Sequence, residues 1–278
     1  MSEKDEIAAF RAPPGACDAH FHVFGPAERY PHGSDLRYPP PLAPLADYLA
    51  LAKRLGLERF VFVQPSAYGR DNRCMLDAMR EIPGCRGIVD VDENAPDAEL
   101  ARLHAAGVRG VRINVSPVKS PAPGFGATLL PRIKRLEARC AELGWQLDFL
   151  LPGWLTKELQ GTLAKLTVDF TLAHFGMFSP KEAFLNLKPL LANPRCFIKL
   201  TGTYRVTSRF ADLVEPARKL VDTVPDRLIW GSDYPHLSFA DKVGSVQLFN
   251  LLKDWAPDPA DRKRILVDNP AKLYGFQS

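Results

Sequence analysis

The feature that most constrains the fold of this chain is a repeated alternation between short apolar runs and longer helical patterns. The apolar runs have the β-branched and aromatic character of strands and span residues 16–23, 59–63, 86–89, 110–115, 146–150, 169–173, 196–200 and 228–230. Patterns of helical periodicity fall between them, at 45–55, 72–82, 97–106, 131–143, 156–166, 180–191 and 210–223. Strands that alternate with helices of this length predict βαβ units and a parallel sheet.

The number of these units favours a closed barrel over an open sheet. A chain of 278 residues suits a (β/α)₈ TIM barrel, which takes about 250 residues. The first run is not followed by a GxGxxG turn, which is typical of a doubly wound sheet. We therefore predict an α/β fold of one TIM-barrel domain over residues 1–278, with an N-terminal extension at 1–15 and C-terminal helices within 243–278, at 243–255 and 259–268.

Charge and composition exclude several classes of function. The net charge of +4 comes from scattered residues, without a basic cluster of the kind that binds nucleic acid. A weak positive field of this kind favours a small anionic substrate. No run approaches the ~18 apolar residues of a membrane span, so no membrane partner is expected. The sequence leaves homo-oligomer formation open.

The cysteines and the first residues predict a cytoplasmic protein. The five cysteines are odd in number, widely spaced and without a CxxC pair. This pattern argues against a disulfide framework and against a zinc ribbon. The first ten residues are charged and lack the apolar segment of a signal peptide.

The strongest local signal for chemistry is the DAHFH segment that ends the first run. His20 and His22 are two residues apart, so both side chains should project to the same side of a strand. Active sites of TIM barrels lie at the carboxyl ends of the strands. Two imidazoles there could share a divalent metal or a water. The structural alternative is a hydrogen-bonded pair that fills the barrel.

His174 and Asp233 end the sixth and eighth runs. The eighth strand of a closed barrel neighbours the first, so Asp233 should approach His20 and His22. A carboxylate in that place can bind a metal or deprotonate a water, whereas the alternative is that it caps the next helix. His174 would supply a third nitrogen from across the mouth, although a lone histidine at a strand end is as often structural.

Together these segments resemble the amidohydrolase superfamily. More narrowly, DAHFHVFGP, QPSAYGRDN, GVRGVRIN, KLTGTYR and WGSDYPH are similar to segments of the 2-pyrone-4,6-dicarboxylate lactonase group. The resemblance continues to the final NPAKLYGF and so covers nearly the whole chain. It implies an enzyme that hydrolyses a small carboxylated lactone of the pyrone-dicarboxylate or muconolactone type in aromatic degradation.

The resemblance also implies roles for individual residues. Asp233 would be the general base on the attacking water, and His20, His22 and His174 would hold that water or polarise the lactone carbonyl. The residues implied in substrate binding are Arg112, Arg205, Gln64, Ser66, Tyr68, Asn114, Tyr204 and His236. Arginine matches carboxylates bidentately. From the sequence alone, Arg112 could instead form a structural salt bridge in its apolar strand, and Arg205 could be solvated in its loop.

The sequence leaves the metal content of the site open. Binuclear amidohydrolases carry a lysine at the end of the fourth strand, where this chain has Ile113, Asn114 and Val115, so the resemblance implies no binuclear centre. One divalent metal such as zinc on His20, His22, His174 and Asp233 stays open. A site that requires no cofactor stays open as well, because the lactonase group includes such members.

One departure from the group bears on the substrate. Lactonases that take the pyrone dicarboxylate often have an arginine where this chain has Met177, followed by Phe178. With Trp154, this apolar surface favours a monoanionic or more apolar lactone. The alternatives are a zinc-dependent decarboxylase or hydratase of an unsaturated acid, a sugar-acid lactonase or isomerase, and a barrel that binds a metabolite without turnover.

Overall fold

Eight parallel strands form one sheet in which each strand pairs with the next along the chain. The computed structural model describes residues 6–34, 36, 38–115 and 122–277. The strands are β1 Cys17–Phe21, β2 Arg59–Val63, β3 Arg86–Val89, β4 Val108–Asn114, β5 Gln146–Leu150, β6 Phe170–Leu172, β7 Cys196–Leu200 and β8 Leu228–Trp230. This order confirms the predicted TIM barrel, and the predicted bounds of β2, β3, β5, β7 and β8 are those observed.

Helices follow the strands as expected, with local differences. They are α1 Leu45–Leu55, α2 Arg73–Met79, α3 Asp97–Ala105, α4 Leu130–Leu143, α5 Gly153–Glu158, α6 Gln160–Leu163, α7 Pro180–Leu191, α8 Val214–Thr223, α9 Ser245–Trp255, α10 Pro259–Lys263 and α11 Asn269–Tyr274. The helix predicted at 156–166 is two short helices, because Leu159 between them has a ψ of 1° and leaves the helical conformation. The pattern predicted at 210–223 begins with a 3₁₀ turn, Phe210–Leu213.

The core has two layers that follow from the two periodicities. Helix α1 buries residues three and four positions apart against the outside of the barrel, namely Leu45, Tyr48, Leu51, Ala52 and Leu55. A smaller cluster of alternate strand residues fills the interior of the barrel: Cys17, Ala19, Val61, Val63, Ile88, Phe197 and Ile229. Tyr274 of α11 is fully buried against this interior cluster. The functional end of the barrel is therefore left to polar residues.

The barrel closes between β8 and β1 through the residues that follow β8. The backbone N–H of Asp233 donates to the carbonyl of His20 at 2.8 Å, and that of His22 donates to Tyr234 at 2.9 Å. The buried carboxylate of Asp18 accepts from the backbone N–H groups of His20 and Ser232, both at 3.0 Å. Its second oxygen accepts from the Tyr48 hydroxyl of α1, also at 3.0 Å. One side chain thus joins β1, the end of β8 and the first helix.

Two further predictions concern the whole chain. All five cysteines are free and buried, which agrees with the prediction that no disulfide framework is present. Among the described residues, none of the helices combines the length and apolar character needed to cross a membrane.

The closure by Asp18 predicts a loss of stability when its carboxylate is removed. Asp18→Ala should lower the thermal unfolding midpoint by roughly 5 to 10 °C, because two buried backbone N–H groups lose their acceptor. Asp18→Asn keeps one acceptor oxygen and should have about half that effect. Thermal unfolding followed by circular dichroism measures both, with the exposed Asp222→Ala as the control. An unchanged midpoint for Asp18→Ala would contradict this role.

Candidate active site

The ends of β1, β6 and β8 bring four polar side chains into one buried group. Nε2 of His20 and Nε2 of His22 each lie 3.6 Å from Oδ1 of Asp233. Nε2 of His174 lies 3.9 Å from Oδ2 of the same carboxylate. Each of these residues is at most 3% exposed. The structure therefore brings together the four residues to which the sequence assigned the chemistry.

An irregularity in β1 directs the two histidines. The pairing of β1 with β2 changes register between Asp18 and Phe21. Ala19 packs in the interior cluster, yet the next residue, His20, also faces the interior, where it contacts Lys199 of β7. Bulges of this kind redirect side chains next to active sites. His20 and His22 then point together to Asp233, as their spacing predicted.

The two oxygens of Asp233 have different surroundings. Oδ2 accepts hydrogen bonds from the Tyr204 hydroxyl at 2.5 Å and from Nε of Arg205 at 2.9 Å. Oδ1 is buried and has no hydrogen-bond donor among the described residues. The alternative of a helix cap is wrong, because the next helix, α9, begins only at Ser245 and follows Gly244. One oxygen is thus fixed by the protein and the other is available for chemistry.

The backbone at these strand ends is strained and closely packed. His174 and Asp233 have φ values of 53° and 58°, in the left-handed region that non-glycine residues rarely adopt and that often marks functional sites. A Cβ at Gly202 would lie 2.3 Å from Nδ1 of His174, and one at Gly231 would lie 2.7 Å from the backbone nitrogen of His20. Both glycines are required for the histidines to occupy these positions.

Electrostatics keep the carboxylate ionised and the imidazoles neutral. Burial alone would raise the pKa of Asp233, but the nearby charge of Arg205 holds it well below 3.8. Burial lowers the pKa of His174 to about 3 and that of His20 well below 6.5. Nδ1 of His22 lies 2.7 Å from the carbonyl oxygen of Val63. A carbonyl only accepts, so this ring carries its proton on Nδ1 and presents a lone pair at Nε2.

A buried ion cluster supports this group from below. Arg112 and Asp148 are opposite each other in the β4–β5 register, and Nε of Arg112 lies 3.6 Å from Oδ1 of Asp148. Oδ2 of Asp148 accepts from Thr171 at 2.8 Å and pairs with Nζ of Lys199. The structural salt bridge that was an alternative for Arg112 is thus present. Asp148 and Lys199 were not predicted, although each is the one charged residue of a mostly apolar strand.

A cavity of about 250 Å³ opens beside His22, His174 and Asp233. Its lining includes seven residues predicted for the site, namely His22, Ser66, Arg112, Asn114, His174, Arg205 and Asp233. Tyr38, Leu237 and Ser238 also line it and were not predicted, because they lie in loops without a motif. Residues 116–121, which follow β4 in the sequence, lie outside the described residues.

Four residues predicted to bind substrate have other contacts and do not line this cavity. Nε2 of Gln64 donates to the carbonyls of Gly69 and Asp71 and so holds the loop after β2. The Tyr68 hydroxyl accepts from the backbone N–H of Gly25. His236 contacts Ser245 at 2.7 Å, and Tyr204 donates to Asp233. These contacts link the site to the neighbouring loops and to Asp233 itself.

The comparison with known proteins agrees with this geometry. A family model described as Amidohydrolase matches residues 17–276. The chain belongs to the amidohydrolase family. The resemblance stated from the sequence, to that superfamily and to the lactonase group, is therefore confirmed.

Relatives of this amidohydrolase include named lactone hydrolases. The 4-sulfomuconolactone hydrolase of Hydrogenophaga intermedia is 36% identical, with 96% of this chain and 90% of the relative covered. The 2-pyrone-4,6-dicarboxylate hydrolase of Comamonas testosteroni is 33% identical, with 95% and 92% covered. A crystal structure of an Agrobacterium tumefaciens protein without ligand has a TM-score of 0.82 at 25% identity, with 96% and 98% covered.

A divalent metal is the cofactor that the amidohydrolase family implies for this site. By distance, His20, His174 and Asp233 could hold one, since a ligand atom of each lies within 4.8 Å of the others. His22 lies outside that group. Metal-bound histidines donate their second ring N–H to a carboxylate, a carbonyl or a water. The second nitrogen of His20 instead faces the amine of Lys199, and Arg205 already binds the carboxylate of Asp233. The surroundings of His20 therefore do not match those of a metal-bound imidazole, although the distances would allow a metal.

The buried imidazoles of this amidohydrolase predict an unusual titration. The ring Cε1–H signals of His20 and His174 should stay at neutral-imidazole positions in NMR spectra from about pH 8 to about pH 5, whereas an ordinary histidine titrates near 6.5. In the unfolded chain these two imidazoles bind protons at pH values where the folded protein keeps them neutral. The free energy of unfolding should therefore decrease as the pH falls from about 6.5 towards 3.

Signals are assigned with His20→Asn and His174→Asn, and the urea-unfolded chain is the control. A folded-state midpoint near pH 6.5 for either ring would show that the site is more polar than the structure indicates.

Proposed function

We propose that this amidohydrolase opens the ring of a small lactone that carries an acidic group. The proposal rests on the position of Oδ1 of Asp233. This oxygen of an ionised carboxylate faces His22 beside a cavity lined by two arginines. The names of the two relatives, both lactone hydrolases, support the same reaction. A carboxylate between neutral imidazoles suits the activation of water.

The cations of the cavity provide for the acidic group of the substrate. Arg112 and Arg205 both line it, beside the polar side chains of Ser66 and Asn114. Nε of Arg205 is used by Asp233, but a guanidinium has five N–H donors. Its remaining donors can bind a carboxylate or sulfonate while Arg205 stays next to the base. The acidic group and the reacting carbonyl are thereby held at fixed positions relative to Asp233.

Each catalytic residue has a role that follows from its contacts. Asp233 takes a proton from water at Oδ1, while the lone pair of His22 orients the second hydrogen of that water. The water oxygen bonds to the lactone carbonyl carbon, and the π electrons move to the carbonyl oxygen. The oxyanion then collapses, the ring C–O bond breaks, and Asp233 returns its proton to the leaving oxygen. His174 contacts the same carboxylate from the opposite side and is placed next to the reacting carbonyl.

An adjoining cavity provides for the rest of the substrate. It has a volume of about 660 Å³ and shares Leu150 and Arg205 with the first. Trp154, Met177 and Phe178 line it. Lys157, Glu182 and Asn186 line it as well. The apolar side chains suit the carbon skeleton of a lactone, which needs no hydrogen-bond partner when it is buried.

We also propose that the reaction uses no metal cofactor and that the protein works in a reducing compartment. The reaction as written needs no metal, in contrast to the zinc-dependent decarboxylase alternative. A small anionic lactone from aromatic degradation is the proposed partner. The reduced, buried cysteines support a reducing compartment such as the cytoplasm.

The first prediction from this proposal concerns turnover and metal dependence. After treatment with a chelator, the purified protein should hydrolyse 4-sulfomuconolactone or 2-pyrone-4,6-dicarboxylate. The loss of the lactone is measured as a change in absorbance. Asp233→Asn should reduce kcat by about 10²- to 10⁴-fold with little change in KM, because it removes the base and keeps the shape. The exposed Asp241→Asn is the matched control. Near-normal turnover in Asp233→Asn, or activity that returns only with added Zn²⁺, would contradict the mechanism.

A second prediction concerns the selection of charge. Met177→Arg should raise kcat/KM for the pyrone dicarboxylate by about tenfold, since one charge-assisted contact is worth about 1.5 kcal/mol or more. Met177→Gln, which is polar but uncharged, is the control. Equal effects of the two substitutions would show that the adjoining cavity does not hold the second carboxylate.

A further inference from the structure

Lys199 is a buried amine in contact with the catalytic group. It lies on β7 and is fully buried. Its Nζ pairs with Oδ2 of Asp148 and lies 3.4 Å from the carbonyl oxygen of Ala19 and 3.4 Å from Nδ1 of His20. The mechanism above does not use it. Burial of an amine is costly unless its charge is compensated, so a contact with a catalytic ring calls for an explanation.

The surroundings of Lys199 match the hydrogens of an ammonium group. An ammonium has three donors and no acceptor. The carboxylate of Asp148 and the carbonyl of Ala19 can only accept, and they take two of these hydrogens. The third hydrogen is directed to Nδ1 of His20, which must then offer a lone pair. A neutral imidazole that accepts at Nδ1 carries its proton at Nε2.

His22 has the opposite arrangement. Its Nδ1 faces the carbonyl of Val63, so its lone pair is at Nε2. Both Nε2 atoms lie 3.6 Å from Oδ1 of Asp233. The two histidines of the HxH segment therefore present different groups to Oδ1 of Asp233: His22 presents a lone pair and His20 presents an N–H.

We propose that Lys199, held by Asp148, is a positioning residue that fixes the Nε2–H tautomer of His20 and thereby makes this ring a hydrogen-bond donor. The N–H of His20 then faces the space next to Asp233, where negative charge develops on the carbonyl oxygen. A donor cannot ligate a cation through the same nitrogen, so Lys199 also disfavours metal binding at this place. The catalytic consequence rests on the lactone hydrolysis proposed above, whereas the tautomer does not.

The test reads the tautomers directly. Two-bond ¹H–¹⁵N correlation spectra of the uniformly ¹⁵N-labelled protein at neutral pH distinguish Nδ1–H from Nε2–H rings. The signals are assigned by loss in His20→Asn and His22→Asn. We expect Nε2–H for His20 and Nδ1–H for His22. An Nδ1–H or doubly protonated ring at His20 would overturn the proposal, whatever the enzyme hydrolyses.

A variant separates positioning from a purely structural role. Lys199→Met has similar length and no donor, and it should convert His20 to a mixture containing Nδ1–H. It should also lower kcat by about 100-fold at little cost in KM and bind Zn²⁺ more tightly than the parent in equilibrium dialysis with the metal alone. The exposed Lys188→Met is the control. A His20 tautomer that is unchanged in a folded Lys199→Met protein would refute the role of Lys199. If this variant does not fold, the spectrum of the parent protein decides.

Discussion

Closure of the barrel between β8 and β1 is the constraint on which the rest of the structure depends. Neither strand alone carries the site: β1 supplies two imidazoles, and the residue that follows β8 supplies the carboxylate. The buried Asp18 accepts hydrogen bonds from both segments, and Gly231 lets their backbones approach. The 3.6 Å separations around Oδ1 of Asp233 are therefore a product of how the barrel closes.

A second constraint is the balance of charge below the site. Arg112 and Lys199 contact Asp148 from two sides, deep in the barrel. Burial would raise the pKa of this carboxyl, but the two cations lower it. The cluster thus brings positive charge close to Asp233 without leaving a buried charge unpaired, which would be strongly destabilising.

The fold and the convergence of the catalytic group were predictable because they follow from periodicity and topology. Apolar runs and helical patterns alternate along the chain, and carboxyl ends of parallel strands meet at one end of a barrel. His20, His22, His174 and Asp233 could be chosen on that rule alone. Strand bounds were least accurate at β1, β4 and β6. At β1 and β6 the polar residues at the carboxyl end blur the end of the apolar run, whereas β4 begins two residues before the predicted start.

The directions of side chains beyond the strands could not be predicted. Gln64 and Tyr68 follow β2 as expected, but Nε2 of Gln64 bonds to the loop after β2 and the Tyr68 hydroxyl to the backbone of Gly25. Lys199 and Asp148 were hidden for another reason. Each is a single charge in an apolar strand, and only the closed barrel shows that they form a pair across β5 and β7.

Leu150 and Arg205 form a shared wall between the two cavities. The smaller cavity contains Asp233, and the larger one contains the side chains that would select a substrate. Arg205 binds the carboxylate of Asp233 and also lines the larger cavity. Replacement of Trp154 or Phe178 would change the shape available to a substrate without reaching the hydrogen bonds of Asp233. A scaffold with this division can diversify its substrate range through neutral drift in one compartment while the reactive compartment is preserved.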